Sequence, residues 1–219
     1  MRLSVIIPVY NEADSIAELI ARVKTVPVKK EILVVDDHSS DRTLEVLRSI
    51  PDIRVFSHDR NCGKGASIRT GLARATGDIV IIQDADLEYD PADYPTLLAP
   101  FADPAVDAVY GSRFRGDGRF LLHSLLANRF LTMLTNALFG GRVTDMETCY
   151  KAIRRPLFLG LKLASSRFEI EPEITAKLLR RRARIIEVPI RYRARTEGKK
   201  IGPKDGILAC CHLLKWYAS

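Results

Sequence analysis

Two aspartates that directly follow an apolar run have the clearest capacity for chemistry in this chain. Residues 79–82 are Ile-Val-Ile-Ile, and Asp84 and Asp86 follow with a single residue between them. Side chains two apart on an extended segment point the same way, so the carboxylates would repel unless a cation neutralised them. Hard oxygen ligands suit Mg²⁺ or Mn²⁺. Alone, this spacing is more typical of two solvated loop aspartates, and the strand before it favours the metal site.

The apolar run predicts the element that carries these aspartates. Its β-branched residues show no polar alternation, which is typical of a strand buried on both faces in a parallel sheet. Three strand–helix alternations precede it and indicate right-handed βαβ units. In such sheets the carboxyl ends of the strands meet at one edge, where ligands bind. The predicted elements are strands at 3–9, 31–35, 53–57 and 79–82 and helices at 14–26, 40–50 and 67–75.

The second half is less regular and contains one long predicted helix. Ser124, Asn128, Thr132 and Asn136 recur every four residues and line one of its sides, while apolar residues fill the other. This helix and the final one are predicted either to pack into the core or to lie on a membrane surface. The predicted elements are helices at 94–101, 120–139, 171–182 and 206–217 and strands at 108–111, 149–154 and 185–193.

Composition places the chain among globular proteins and points to anionic partners. Its 219 residues suffice for one large domain or two small ones. Of these residues, 47% are hydrophobic and 28% are charged, as in globular proteins. The net charge of +7 favours nucleotides, phosphates or anionic lipid as partners. No motif typical of nucleic-acid binding accompanies this charge, so we expect no nucleic-acid partner.

Cysteine usage and hydropathy indicate a cytoplasmic protein. The four cysteines lack the spacing of a zinc site and are expected to be reduced thiols. The first residues read as a strand rather than as a signal peptide. No uncharged apolar run reaches the roughly 18 residues that a transmembrane helix requires. We therefore expect a cytoplasmic location.

The residues at the four strand ends resemble those of a known family. These segments are Pro8–Glu12, Asp36–Ser39, Asn61–Gly65 and Gln83–Asp86. Together they resemble the family-two glycosyltransferases of the GT-A fold, which bind a nucleotide-sugar through these junctions and hold its diphosphate with a metal at Asp-x-Asp. The resemblance implies an α/β fold with a Rossmann-like, mostly parallel twisted sheet flanked by helices.

Motifs in the second half are similar to one branch of this family, the dolichol-phosphate mannose synthases and related polyprenyl-phosphate sugar transferases. The matching segments are Gly111–Arg113, Thr144–Lys151, Phe168–Glu173 and Arg195–Ile201. The resemblance implies a single domain over residues 1–219, with a nucleotide-binding half at 1–90 and an acceptor-binding half at 91–219. The second half would include a basic loop at 193–203 and the C-terminal amphipathic helix.

The resemblance assigns a set of nucleotide contacts, position by position. These residues are Pro8, Tyr10, Glu12, Asp37, Asn61, Lys64 and Gln83. A carboxylate is the acceptor that a base N–H or a ribose hydroxyl requires, which suits Glu12 and Asp37. Each of the two alone also fits a simpler role, as a helix-start charge or a turn residue. Asn61 and Lys64 are expected to close over the nucleotide, and Gln83 to position the cluster or touch the base.

The resemblance also implies the metal ligands and the catalytic residues. The metal would be held by Asp84, Asp86 and Glu88, the last at a position where the mannose synthases carry glutamine. Residues implied to act in catalysis are Asp84, Asp86, Arg113, Asp145, Arg195 and Lys200. The basic residues would hold the phosphates, and Asp145 would recognise or position the sugar. Arg129 is expected to meet the acceptor phosphate or the sugar, with a solvated helix arginine as the simpler alternative.

The implied reaction is inverting transfer of a hexose, with mannose preferred, to a polyprenyl phosphate. The donor would be GDP-mannose or a UDP-hexose, the cofactor Mg²⁺ or Mn²⁺, and the place the cytoplasmic face of a membrane. One alternative is a hydroxyl acceptor with Asp145 as general base, because a hydroxyl must lose its proton and a lipid phosphate need not. A second alternative is a non-catalytic nucleotide-sugar-binding subunit. The sequence leaves the donor and the oligomeric state open.

Overall fold

One mixed sheet organises the computed structural model, which describes residues 1–118, 122–194 and 203–218, with backbone alone at 122, 123 and 203–205. The strands found in these residues are β1 Leu3–Val9, β2 Lys30–Asp36, β3 Arg54–Ser57, β4 Ile79–Ile82, β5 Ala108–Ser112, β6 Lys151–Arg154 and β7 Ile185–Pro189. Their order is β3-β2-β1-β4-β6-β5-β7, and only β6 runs antiparallel to its neighbours in this described sheet. The predicted mostly parallel sheet is confirmed.

Helices follow most of the strands and pack on the sheet. They are α1 Ile16–Thr25, α2 Thr43–Ser49, α3 Lys64–Arg74, α4 Tyr94–Leu98, α5 Leu122–Phe139, α6 Arg155–Gly160, α7 Ile170–Arg180 and α8 Pro203–Ala218. Two short 3₁₀ helices, Pro91–Asp93 and Ala99–Ala102, flank α4. The predicted helix at 94–101 is therefore α-helical as far as Leu98 and 3₁₀ from Ala99, because Pro100 cannot donate a backbone hydrogen bond.

The core is built on the pairing of β1 with β4. These strands are parallel, with Leu3 beside Ile79 and Ile6 beside Ile82. Every residue of both strands is buried. An apolar run buried on both faces is what the absence of polar alternation predicts. This pairing places the end of β4 beside the last residues of β1. Gln83 and Asp84 follow directly after this end of β4.

The second half departs from the predicted elements in three places. The strand predicted at 149–154 begins only at Lys151, and a short helix, α6, follows it directly with Pro156 in its first turn. Sequence reasoning missed this helix because its six residues are too few to show a helical period. The strand predicted to reach 193 ends at Pro189, and Tyr192 instead forms an isolated bridge with Tyr89.

The long helix α5 turns its polar side inward and part of its apolar side outward. Thr132 is buried, and the Asn136 amide bonds both backbone groups of Val143, at 2.8 and 3.1 Å. By contrast, Phe130 and Met133 are 53% and 63% exposed. Helix α8 packs against α5, with the rings of Phe139 and Tyr217 6.1 Å apart. Among the described helices, none is long and apolar enough to cross a bilayer.

A buried glutamate ties the start of β2 to three other segments. Glu31 Oε1 accepts hydrogen bonds from Ser4 Oγ at 2.6 Å and from the Thr76 backbone N–H, also at 2.6 Å. Arg54 lies 3.1 Å from the other carboxylate oxygen. Burial alone would raise the pKa of Glu31, but these hydrogen bonds and the charge of Arg2 lower it to about 2.

The Glu31→Gln variant is expected to lose on the order of 2–3 kcal/mol of stability at pH 7. Because the pKa of Glu31 is depressed in the folded state, its contribution is present above about pH 4.5 and is lost as the pH falls towards 2. Urea unfolding at pH 7 and at pH 3 measures the difference, which should shrink at the lower pH. The exposed Glu18→Gln is the control, and an equal loss at both pH values would contradict this role.

Candidate active site

The polar strand ends predicted to form a site lie at one edge of the sheet. Val9 pairs with Asp36 in the β1–β2 ladder, and Asp36 pairs with Ser57 in the β2–β3 ladder. The Gln83 N–H donates to Ile6 O at 2.9 Å, which fixes the end of β4 next to β1. Since these strands are parallel, the segments that follow them emerge on the same side. The four junctions therefore converge as the sequence indicates.

Polar side chains bind the first two junctions together. The Asn11 N–H donates to Ser39 Oγ at 2.9 Å, and the Ser40 N–H donates to Asn11 Oδ1 at 2.8 Å. The Glu12 N–H donates to Thr43 Oγ1 at 2.9 Å, at the start of α2. Of the predicted nucleoside contacts here, Pro8 is buried within β1, whereas Tyr10 is 36% exposed. The side chain of Tyr10 is thus accessible at this junction.

The carboxylate of Asp37 shapes the loop that carries Lys64. Its oxygens accept hydrogen bonds from the backbone N–H groups of Cys62 at 2.8 Å and Gly63 at 2.7 Å, and His58 Nδ1 lies 2.7 Å away. With these partners Asp37 holds the turn into α3. Its predicted contact with the nucleoside stays a prediction. The neighbouring Asp36 is also buried, and its Oδ1 atom has no hydrogen-bond partner among the described residues.

A lysine ammonium lies on the first aspartate of the Asp-x-Asp motif. Lys64 Nζ is 2.7 Å from Asp84 Oδ1 and 3.0 Å from Glu171 Oε1 in α7. Glu171 also pairs through Oε2 with Lys151, whose side chain is fully buried. Burial alone would lower the pKa of Lys64, but the charges of Asp84 and Glu171 raise it well above its usual value. Lys64 is therefore a fixed positive charge inside the site.

The side chain of Gln83 orients the loop that contains Asp84 and Asp86. Its Oε1 atom accepts hydrogen bonds from the hydroxyls of Tyr94 and Tyr150, both at 2.7 Å, and its Nε2 donates to Asp84 O at 3.0 Å. The side chain is fully buried. Of the two roles that the sequence left open for Gln83, this arrangement favours positioning the aspartates over touching the base.

The predicted metal ligands are placed around the next turn. Asp86 Oδ1 accepts the Glu88 N–H at 3.3 Å, and Glu88 Oε2 accepts the Tyr192 hydroxyl at 2.8 Å. Within the described residues, the carboxylates of Asp84, Asp86 and Glu88 do not gather within 4.8 Å of one another. Asp84 instead pairs with the ammonium of Lys64, and its role as a metal ligand stays a prediction. Two carboxylates together with donor phosphates would complete a site for Mg²⁺ or Mn²⁺.

The other described group of possible ligands has a simpler explanation. Asp37, His58 and Cys62 offer ligand atoms within 4.8 Å of one another. However, His58 Nδ1 is hydrogen-bonded to Asp37, and its Nε2 lies 2.9 Å from Thr70 Oγ1. Both ring nitrogens are thus already used in holding the loop.

Arg113 and Asp145 form a buried pair. Arg113 Nε and Nη2 donate to the two oxygens of Asp145 at 2.8 and 2.7 Å, and the Arg113 N–H donates to the same carboxylate at 3.0 Å. The guanidinium carbon lies 5.0 Å from the ring centre of Tyr192. Such a bidentate pair fixes both side chains. Arg129, on α5, is exposed and stacks over Phe114 at 5.7 Å.

Glu147 is a half-buried acid whose pKa is raised. Its Oε1 atom is inaccessible and has no hydrogen-bond partner among the described residues. Burial raises the pKa of Glu147 to about 7, against the opposing charge of Lys151. The charges of Arg113 and Asp145 also act on this carboxyl group, so Glu147 lies near that pair.

Sequence reasoning missed the pairing of Glu171 with Lys151, and the predicted Arg195 and Lys200 lie outside the described residues. Lys151 supplies the signal that could have found the pairing, because a lysine in an otherwise apolar strand requires a buried partner. Glu173, at the end of the Phe168–Glu173 motif, accepts the N–H groups of Ala164 and Ser165 at 2.9 and 2.8 Å.

Comparison with known sequences identifies the family. The sequence model of glycosyl transferase family 2 matches residues 4–160. The chain belongs to glycosyl transferase family 2. This match covers all four strand-end junctions and the Arg113–Asp145 pair, so it confirms the family that the sequence resembles. The described site is therefore read as that of a family 2 glycosyltransferase.

Among the family 2 enzymes similar to this chain are undecaprenyl-phosphate 4-deoxy-4-formamido-L-arabinose transferases. The protein from Edwardsiella ictaluri (strain 93-146) is 31% identical over 221 residues, covering 97% of this chain and 65% of the relative. That from Salmonella choleraesuis (strain SC-B67) is 33% identical over 206 residues, covering 90% and 61%. The chain thus spans somewhat under two thirds of these relatives, which belong to the polyprenyl-phosphate branch that the sequence resembles.

Solved structures of other glycosyltransferases share the fold. Mannosyl-3-phosphoglycerate synthase from Rubrobacter xylanophilus has a TM-score of 0.74 at 20% identity, covering 100% of this chain and 73% of that one. Glucosyl-3-phosphoglycerate synthase from Mycobacterium tuberculosis, in complex with UDP, has a TM-score of 0.73 at 22% identity, covering 99% and 80%. At these identities the likeness concerns the fold, and it confirms the predicted GT-A architecture.

The Glu147→Gln variant is expected to be more stable than the wild type at pH 8, by on the order of 1–3 kcal/mol. Because the pKa of Glu147 is raised in the folded state, the wild type loses stability as the pH rises from about 4.5 to 7. The two proteins should therefore converge near pH 4. Thermal unfolding between pH 4 and pH 8 measures the difference, with the exposed Glu45→Gln as control. A pH-independent difference would contradict the assignment.

Proposed function

We propose that the chain transfers a sugar from a nucleoside diphosphate to a polyprenyl phosphate with inversion at the anomeric carbon. Family membership supports glycosyl transfer, and the relatives named above act on undecaprenyl phosphate. The convergence of Tyr10, the Asn61–Gly65 loop and Asp84 at one sheet edge supports a nucleotide cleft there. The phosphate oxygen of the acceptor forms the new bond to the anomeric carbon, and the nucleoside diphosphate leaves from the opposite side.

Asp84 and Asp86 are the residues proposed to hold Mg²⁺ or Mn²⁺, with Glu88 as a third ligand. When bound, the ion would offset charge on the leaving diphosphate. The ordered Asn61–Gly65 loop would place backbone N–H groups and Lys64 near the phosphates. Solved neighbours in complex with UDP and Mn²⁺ support a divalent ion in this fold. Arg195 and Lys200 are proposed to close the phosphate site from the basic loop.

The hydrogen bonding of Asp145 supports a phosphate acceptor over a hydroxyl acceptor. Its carboxylate is fully buried and accepts three hydrogen bonds from Arg113. A carboxylate committed to a bidentate arginine is a poor general base, because protonating it would break that pair. An acceptor that is already an anion requires no base. Asp145 is thus proposed to fix Arg113 beside the sugar and phosphates.

The sugar is the least constrained part of the proposal. Mannose from GDP-mannose, expected from the branch resemblance, remains a prediction. The names of the relatives specify a formamido-arabinose, and a solved neighbour binds UDP-glucose. A donor panel therefore has to include GDP-mannose, UDP-hexoses and UDP-linked arabinose derivatives.

A hydroxyl acceptor is the second candidate, and Glu147 is the observation that favours it. A pKa of about 7 suits a general base at neutral pH. In that reaction Glu147, rather than Asp145, would accept the proton of the hydroxyl. Loss of activity in Glu147→Gln, with a water-soluble product, would favour this candidate.

Asp84→Ala is expected to lower sugar transfer on the order of 100-fold or more, because the leaving diphosphate loses its charge partner. The assay uses radiolabelled donors, Mn²⁺ and undecaprenyl phosphate, and the product should partition into organic solvent. Asp78→Ala is the matched control, since Asp78 is exposed at the other end of β4. Retained activity in Asp84→Ala would refute the site, and a binding protein without turnover would show no product with any donor.

The outward apolar face of α5 and α8 is proposed to contact the membrane that holds the acceptor. Among the described residues it contains Leu126, Phe130, Met133, Ile207, Leu208, Leu214 and Tyr217, each at least 41% exposed. An exposed apolar area shared by two packed helices is typical of an interaction surface. The net charge of +7 favours an anionic surface.

Replacing Leu126, Phe130 and Met133 together by serine is expected to weaken binding to vesicles of anionic phospholipid at least about tenfold, because each large side chain contributes on the order of 1.5–3 kcal/mol when buried. Sedimentation with the vesicles measures binding. Leu159→Ser, an exposed leucine on α6, serves as control. If the triple variant sediments like the wild type, this face is not the membrane contact.

A further inference from the structure

A lysine occupies the carboxylate that the proposed function gives to a metal ion. Lys64 Nζ lies 2.7 Å from Asp84 Oδ1, within hydrogen-bonding distance. The lysine side chain is 13% exposed and that of Asp84 23%, so water screens this pair only in part. A divalent ion and an ammonium would compete for the same oxygen, since each is attracted by its charge. A divalent ion that binds Asp84 therefore has to displace the Lys64 ammonium from it.

The backbone holds Lys64 in place, so that only its side chain can respond. Lys64 is the first residue of α3, and Asp37 fixes the preceding residues through the N–H groups of Cys62 and Gly63. Gly63 and Gly65 lie so close to the backbone of Ser165 and Ser166 that a Cβ at either position would clash. The helix start is thus wedged between two loops. Its lysine stem can swing while the Cα atom stays.

Glu171 provides a second place for the ammonium. Its Oε1 atom is 3.0 Å from Lys64 Nζ, yet it has no hydrogen bond of good geometry in the described structure. The other oxygen, Oε2, is used by the buried Lys151. A buried carboxylate oxygen with an unused acceptor position costs stability unless a donor reaches it. A small rotation of the Lys64 side chain towards Oε1 would satisfy it.

We propose that Lys64 is a built-in counter-ion of Asp84, which a divalent ion displaces towards Glu171 when it binds. This inference rests on the proposed metal site at Asp84. It assigns Glu171 a positioning role that the family resemblance did not give it. The ammonium keeps the aspartate neutralised before the ion arrives and remains close to it afterwards. No covalent bond changes in the exchange: the ion replaces Lys64 at Asp84, and Lys64 keeps its ion pair with Glu171 and donates a hydrogen bond to Oε1.

Two consequences distinguish displacement from a fixed ion pair. The divalent ion should bind weakly to the protein alone, because it has to compete with Lys64. Removing the ammonium should strengthen ion binding, and removing the Glu171 charge should weaken it only while Lys64 is present. If Lys64 remained on Asp84, the Glu171 charge would act through space alone, with or without the lysine.

The first experiment titrates Mn²⁺ into the full chain without nucleotide and follows the free-ion signal by electron paramagnetic resonance. Lys64→Met keeps the length of the side chain and leaves Glu171 paired with Lys151. We expect Mn²⁺ to bind this variant at least about tenfold more tightly than the wild type. Lys177→Met is the matched control, because it removes a lysine paired with Glu173 on the same helix, at 2.6 Å, that has no contact with Asp84 among those described. It should bind Mn²⁺ as the wild type does.

Asp84→Asn separates failure of this inference from failure of the proposed function. If Asp84→Asn and the Lys64→Met/Asp84→Asn double variant bind Mn²⁺ as well as their parents do, the metal site itself is wrong. If Asp84→Asn abolishes binding, but Lys64→Met fails to strengthen it, only the displacement is refuted. If the wild type shows no detectable Mn²⁺ binding, the experiment still tests the inference. Displacement then requires that Lys64→Met binds Mn²⁺ measurably.

A double-variant cycle tests the role of Glu171. Glu171→Gln should weaken Mn²⁺ binding several-fold in the wild-type background and less than about twofold in the Lys64→Met background. Equal weakening of Mn²⁺ binding in both backgrounds would refute Glu171 as the partner that receives the displaced Lys64 ammonium. Circular dichroism and thermal unfolding check that each variant is folded, because Glu171→Gln leaves Lys151 buried beside a neutral partner.

Discussion

The cost of burying a carboxylate determines how the loops of this protein are held. An ionised acid taken out of water must find donors or a counter-charge, and several acids of this protein find them in neighbouring loops. Asp37 binds the turn into α3, Glu173 binds the Ala164–Ser165 loop, and Asp93 binds both the backbone and the guanidinium of Arg191. These described loops are thus held by contacts within the protein itself.

The first half of the fold follows from the sequence because its signals are local. A largely apolar run predicts β1, an uninterrupted β-branched run predicts β4, and strand–helix alternation predicts their parallel arrangement. The second half was less predictable because its decisive contacts are long-range. Nothing near Lys151 in the sequence reveals that Glu171 will neutralise it, or that β6 will enter the sheet between β4 and β5. A six-residue helix such as α6 is also too short to leave a periodic pattern.

The same distinction applies to the site. Residue types and strand ends indicated the region correctly, but the charge partners of each side chain depend on tertiary packing. The sequence left two roles open for Gln83, and only the hydroxyls of Tyr94 and Tyr150 favour one of them. Arg113 was expected to meet phosphate, yet it is first of all the partner of Asp145. Amphipathic periodicity predicted two sides of α5 but not which side faces water, because that depends on α8.

The position of β6 has a consequence for synthesis on the ribosome. β4 pairs with β1 on one edge and with β6 on the other, where Ile79 lies opposite Arg154. While the nascent chain is shorter than this, the Ile-Val-Ile-Ile edge of β4 has unsatisfied backbone groups and β-branched side chains. Open edges of that kind recruit strands from other chains and promote aggregation. Rapid pairing of β6 with β4 once the second half has been synthesised would protect this edge. Binding of a chaperone to the edge during translation would do the same.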